Sequence, residues 1–166
     1  IVVYNNSGTS TITIDGDYSG TGQSRIITDV VEIQGGSDLS EQFEVVENES
    51  FLPAVPGLIV SIDAEHQGKL RISSTAYDHA VAGIISGAGG IQTGMLMGQA
   101  NTVADGRYPI ALTGRVYCWA DASDGSIQPG DLLTTSDVPG HAMKAADAGK
   151  AQGSIIGKAM TGLRNG

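Results

Sequence analysis

Cysteine is all but missing from this chain, with Cys118 the single example. One cysteine excludes an internal disulfide framework and a cysteine-based zinc site. Cys118 sits in an alternating apolar pattern, which predicts a buried free thiol acting as a small hydrophobe. Aromatics make up only 5% of residues, so the core must be built from Val, Ile, Leu and Ala. No apolar run approaches the roughly 18 residues of a membrane-spanning helix, so membrane insertion is not expected. No signal peptide is visible, and a chain starting at Ile1 rather than Met reads as a fragment or a processed product. Basic residues are scarce at the N-terminal end. Residues 1–50 carry nine acids against Arg25, a net −8, while residues 51–166 are nearly balanced at −1. That break near residue 50 predicts a boundary between two modules. The overall net charge of −9 repels phosphates and anionic lipid, which argues against nucleic acid as a partner.

What the chain does have is glycine, 24 residues spread along its length, together with short β-forming runs. The segment Ile127-Gln-Pro-Gly-Asp-Leu-Leu-Thr-Thr-Ser-Asp-Val-Pro-Gly-His-Ala-Met-Lys144 alternates strands with turns. In Pro129-Gly130 and Pro139-Gly140, proline presets the first corner and glycine takes the positive φ of the second. Leu58–Ile62, Lys69–Ser73, Val81–Ile85 and Ile155–Met160 read as further strands. Ile110–Ala120 reads as the longest, with Ile110, Leu112, Val116, Cys118 and Ala120 on one parity and Tyr117 and Trp119 on the other. Helix signals are weak and confined to a turn or two at Thr75–Val81 or Met143–Lys150. These features predict an all-β chain, a small barrel- or sandwich-like domain over residues 51–166.

Residues 1–50 read as an acidic, strand-rich arm. Ile1-Val2-Val3-Tyr4 is a short apolar β-former run, and Ile12 and Ile14 share one face of an alternating strand. Arg25–Gln34 reads as a third strand. So few apolar residues cannot build a core, and narrow strands need a partner sheet. Ile1, Val2, Val3, Tyr4, Ile12 and Ile14 are therefore the expected assembly residues, adding strands to another copy of the chain. Folding back of Ile1–Tyr4 onto its own domain, or fraying, is the competing reading.

No catalytic motif stands out. His66, His79 and His141 have no metal-ligand spacing, so no metal site is expected. Asp15-Gly16-Asp17 lacks the further ligands of a calcium loop. Ser86 lies near Asp78 and His79 in sequence, but nothing in the spacing makes them a triad. Gly87-Ala88-Gly89-Gly90 lacks the lysine of a phosphate loop. Tyr117 and Trp119, on the outward parity, are the candidate ligand-binding residues, with Tyr77 and Tyr108 as further members of a sugar-stacking platform. No cofactor is expected.

Val81–Gly90, Leu112–Cys118, Ile127–Lys144 and Ile155–Met160 together resemble a C-terminal β-rich domain of large bacterial surface proteins and phage tail-fibre-like proteins. Ile33–Leu39 and Pro56–Asp63 fit the same pattern, so the resemblance extends from about residue 10 onward. A more distant likeness is to the intramolecular chaperone domains that end phage spikes. That family's chain usually continues into a final apolar strand, whereas this one stops at Gly166. The resemblance implies an extracellular, cell-surface or virion location. It favours a structural, self-assembling subunit of a fibre, filament or tail-fibre-like appendage, pairing with copies of itself as a trimer or filament. A module binding surface glycans and an autoproteolytic chaperone domain are the alternatives, and the first reading is not an enzyme.

Overall fold

The computed structural model describes residues 2–4, 7–8, 10–15, 20, 24–47, 53–98 and 100–164. The chain is nearly all β, as the pattern of short apolar runs and Gly/Pro corners predicts. It divides into two compact units, residues 1–33 and residues 34–166.

The first unit is a three-stranded antiparallel sheet of β1 (Val2–Tyr4), β2 (Ser10–Asp15) and β3 (Arg25–Thr28), with β2 central. Val2 pairs with Thr13 and Val3 with Ile12, so β1 hydrogen-bonds to its own chain's neighbour. β3 is shorter than the expected Arg25–Gln34. At its end the Thr28 hydroxyl donates to the Val30 carbonyl (3.1 Å), a local bond that turns the chain out of the strand.

The second unit begins earlier than the charge break near residue 50 suggests. β4 (Asp38–Phe43) and β5 (Val45–Val46) belong to it, because they pair with strands of its larger sheet, and two acids of this stretch are answered from within. Asp38 is buried, accepting the Gly94 N–H (3.0 Å) and the Ser40 hydroxyl. Glu44 forms an ion pair with Arg107 at 2.7 Å. The unit's larger sheet adds β6 (Ile59–Ile62), β7 (Leu70–Ile72), β8 (Val81–Ile85), β9 (Met95–Met97) and β10 (Tyr108–Gly114). The strand order is β5-β7-β6-β8-β10-β4-β9, and the sheet curls into a half-barrel. A smaller sheet holds β11 (Leu132–Thr135) between β12 (Ala142–Lys144) and β13 (Ile155–Lys158). One turn of helix, α1 (Ala148–Ala151), starts where the Asp147 carboxylate accepts the Gly149 N–H at 2.9 Å.

The central strands are buried on both faces. Val60 and Ile85 enter one hydrophobic cluster with Val45, Leu58, Leu70, Ile72 and Ile110. Their sequence neighbours Ile59 and Ile84 enter a second, with Ile127, Leu133, Ala142 and Ala159. This is why Leu58-Ile59-Val60 and Ile84-Ile85 are unbroken apolar runs rather than alternating ones. Each such side chain removed from water contributes about 1.5–3 kcal/mol. Both clusters are aliphatic, as the aromatic scarcity requires.

The expected strand Ile110–Ala120 is cut short. β10 ends at Gly114 (φ 107°), where a Cβ would collide with the Ser37 carbonyl oxygen. A bulge between Ala111 and Thr113 also breaks the parity, so Leu112 is exposed while Ile110 is buried. Ile14, expected on a buried face, is exposed as well.

β11 ties the small sheet to its loops through hydroxyls. Thr134 Oγ1 donates to the Ser154 carbonyl (2.8 Å). Thr135 Oγ1 donates to the Thr75 carbonyl (2.8 Å) and accepts the Asp78 N–H (2.7 Å).

Gly130 and Gly140 sit at turn corners with φ of 94° and 75°. Their surroundings differ. A Cβ on Gly130 meets open space, whereas one on Gly140 would lie 2.5 Å from Leu58 Cδ2. Gly140 also donates to the Ser73 carbonyl (2.7 Å) and accepts the Ile59 N–H (2.9 Å), which locks it against β6. Gly130→Ala is expected to destabilise by about 1–2 kcal/mol from its backbone conformation. Gly140→Ala should cost about 1–3 kcal/mol more through overpacking. Urea denaturation of the two variants checks this, and equal losses would contradict the packing difference.

Candidate functional site

Beyond Gly114 the chain leaves the large sheet but stays fixed by hydrogen bonds. Trp119 N–H donates to the Gly57 carbonyl (3.0 Å), and the Trp119 carbonyl accepts the Ala142 N–H (2.9 Å). Ala120 and Ala142 form a parallel bridge. Val116, Cys118 and Ala120 pack against the second hydrophobic cluster. Burial raises the Cys118 thiol pKa above its ordinary value, consistent with an inert structural cysteine. Tyr117 and Trp119 consequently face outward, 58% and 52% exposed.

Both rings rest on glycine. A Cβ on Gly57 would lie 2.9 Å from Trp119 Cδ1, and one on Gly89 would lie 2.7 Å from Tyr117 Cδ2. Gly57 (φ 93°) and Gly89 (φ 67°) also need the left-handed backbone that glycine permits. Gly89 belongs to a short 3₁₀ turn, Ala88–Gly90, so the glycine run that lacks phosphate-loop residues serves as the floor under a ring. Trp119 Nε1–H donates to the Pro56 carbonyl (3.2 Å), which satisfies the indole's polar atom. His141 lies tilted against the indole, with centroids 5.9 Å apart at 58°. Its Nδ1–H donates to the Pro139 carbonyl at 2.8 Å.

The surface is thus a pair of held, half-exposed rings. Such a platform can stack on an apolar ring face, and it brings no acid, base or nucleophile beyond His141. Pro56, Gly57, Gly89 and His141 belong to it, although nothing in the sequence placed them beside the rings. Tyr77 and Tyr108 do not belong. Tyr77 Oη accepts the Asp147 N–H (2.9 Å), and Tyr108 Oη donates to Glu47 (2.6 Å).

The other chemical candidates are dispersed. Ser86 is buried and accepts the Thr93 hydroxyl (3.0 Å), Asp78 pairs with Arg71 (3.0 Å), and His79 Nε2 lies 3.4 Å from the Lys150 carbonyl. His66 Nδ1 lies 3.2 Å from Asp63. A groove of 160 Å³ opens where β8 and β10 diverge, lined by Val81, Gly83, Leu112, Gly114, Val116 and Ile155 among others. None of its lining residues is ionisable, so it offers no acid–base chemistry.

Of the expected assembly residues, Val2, Val3 and Tyr4 lie in β1, and Ile12 and Ile14 in β2. Ile1 lies outside the described residues. A further exposed aliphatic set lies in and after β3. Ile26, Ile27, Val30, Val31 and Ile33 are all exposed, Val30 by 78%. Their β-branched character was legible, but not that both faces would be left in water.

Compared with known proteins, the chain matches no family model, no curated protein and no solved structure.

Asp121 ties down the chain just after Trp119. Its carboxylate accepts the Ser123 N–H (2.9 Å) and the Ser136 hydroxyl (3.1 Å), and its own N–H donates to the Ala142 carbonyl (2.7 Å). The Ser123 N–H and hydroxyl outweigh the opposing effect of burial, and with Ser136 and nearby His141 they hold the Asp121 pKa below its ordinary value. A depressed folded-state pKa stabilises the fold above the unfolded value of about 3.9. That contribution disappears as pH falls through the folded pKa. Asp121→Asn is expected to destabilise by about 1–3 kcal/mol at pH 7. The gap from the parent should narrow progressively below about pH 4. Denaturation midpoints measured from pH 7 to pH 2 check this, and a gap independent of pH would contradict it.

Proposed function

We propose that this chain is a structural, self-assembling subunit of an extracellular fibre, filament or tail-fibre-like appendage, at a cell surface or on a virion. The observation that carries the reading is the water-exposed aliphatic set Ile26, Ile27, Val30, Val31 and Ile33. Five β-branched residues close together in sequence, left exposed among the described residues, mark a surface that contact with another molecule would bury. The resemblance of residues from about 10 onward to β-rich ends of surface and tail-fibre proteins supports the same reading. Copies of the chain, as a trimer or filament, are the proposed partners. Because Val2–Tyr4 already pairs within the chain, the contact is proposed to run mainly through β3 and the residues after it.

Light scattering on the full chain is expected to show an oligomer. Deleting residues 1–33 leaves both hydrophobic clusters whole, since their members lie between Phe43 and Leu163. The shortened chain should fold but lose the higher-order assembly. A full chain that is monomeric at every concentration would overturn the reading.

The glycine-floored rings favour a second reading, a module that binds surface glycans. Their indole N–H is already satisfied, so Trp119 presents an apolar face of the kind that stacks on a sugar ring. Binding to a glycan array, lost in Trp119→Ala with the fold intact, is the expected result. An array without any signal for the parent chain would remove this reading.

A further inference from the structure

β9 is the outermost strand of the large sheet, and among the described residues nothing pairs with its outer edge. Its inner edge runs parallel to β4, with Leu39 opposite Met95, Ser40 opposite Leu96 and Glu41 opposite Met97. Strand alternation sends Met95 and Met97 to one face and Leu96 to the other. All three are nevertheless exposed, at 42–49%. Among the described residues, both faces of this edge are therefore left partly open.

Exposed edges are normally blunted by charge or proline, because unpaired N–H and C=O groups template pairing with another chain. β9 has neither defence. Residues 80–104 contain no Asp, Glu, Lys, Arg, His or Pro, within a chain of net charge −9. That neutrality identifies the occupant. A charged partner finds no complementary charge on the strand itself, and the acid opposite it across the β4 pairing is Glu41, at Met97. Two copies of a chain of net charge −9 repel each other, chiefly through residues 1–50, and a neutral segment is where they can abut at least cost.

The local sequence fits such a meeting. Gly94-Met95-Leu96-Met97-Gly98 reads the same in both directions. An antiparallel pairing centred on Leu96 sets it against the partner's Leu96, with each methionine against a methionine and each glycine against a glycine. Apolar side chains then meet on both faces, the arrangement that stabilises cross-strand pairs.

We propose that β9 is a homotypic docking edge: two copies pair their β9 strands antiparallel about a two-fold axis at Leu96, joining two seven-stranded sheets into one. The inference rests on the self-assembly reading and adds a contact separate from the N-terminal unit. An isologous contact of this kind closes on itself as a dimer. Growth beyond a pair then requires a second surface, a role the exposed aliphatic residues after β3 can fill.

A charge-swap at the axis tests this on the full chain. Leu96→Lys and Leu96→Glu each place like charges opposite one another. Each variant alone is expected to weaken the β9 contact at least ten-fold by analytical ultracentrifugation, and an equimolar mixture should restore it by pairing Lys with Glu. Leu96 is exposed, so melting temperatures should stay near that of the parent. As an independent readout, Leu96→Cys in a Cys118→Ala background should oxidise rapidly to a covalent dimer, while a cysteine at exposed Val103 should not. If the parent associates but both charge variants associate equally well, or their mixture gains nothing, the β9 inference falls and the self-assembly reading stands. Failure of Leu96→Cys to cross-link faster than the Val103→Cys control also overturns it. A parent that never associates overturns both.

Discussion

Burial of β6 and β8 on both faces is the constraint on which the rest of residues 34–166 depends. Ile59 opposite Ile84 points into one cluster, while Val60 and Ile85 point into the other. A strand apolar on both sides cannot stand at the edge of an open sheet. It needs the half-barrel's interior on one side and a cover on the other. The small sheet of β11, β12 and β13 supplies that cover through Leu133 and Ala142, and residues 116–120 supply more through Val116, Cys118 and Ala120. The outward placing of Tyr117 and Trp119 follows from this, since their neighbours are committed inward. The candidate binding surface is a by-product of how the second cluster is closed.

Much of this was legible in the residues. The runs that became β6, β7, β8, β11, β12 and β13 could be read from apolar pattern and flanking turns. The two Pro-Gly corners have the positive φ that their glycines suggested. The outward parity of Tyr117 and Trp119 held because it depends only on local alternation with Val116, Cys118 and Ala120. β9 was not legible. Three residues show no period, and a strand set by parallel pairing to β4 takes its place from Asp38 and Gly94, which are remote in sequence.

Charge misled in an instructive way. Nine acids before residue 50 suggested a separate strand-rich arm, yet Asp38 is buried and Glu44 is paired with Arg107. Burial raises the Asp38 pKa, but hydrogen bonds from Ser40, Ser86 and Gly94 outweigh it and leave the carboxyl below its ordinary value. Such a group stabilises the fold as a carboxylate. Formal charge counts cannot see the N–H groups and guanidinium that make a carboxylate cheap to bury. Platform residues such as Gly57 and Gly89 were hidden for a related reason. A glycine under an aromatic ring has the same sequence signature as a glycine in a turn.

The bulge between Ala111 and Thr113 has a consequence for how the chain can vary in length. Before it, even-numbered Ile110 lies in the first cluster; after it and the Gly114 bend, even-numbered Val116 and Cys118 pack on the second. Losing or gaining one residue between Ile110 and Arg115 would tend to exchange the two sets. Valine and cysteine would then face solvent, and a tyrosine and a tryptophan would be driven into space sized for aliphatic side chains. Insertions and deletions should therefore be tolerated in the exposed turn around Asp124-Gly125, yet nearly forbidden over these few positions, where chain length itself encodes which side of the protein is outside.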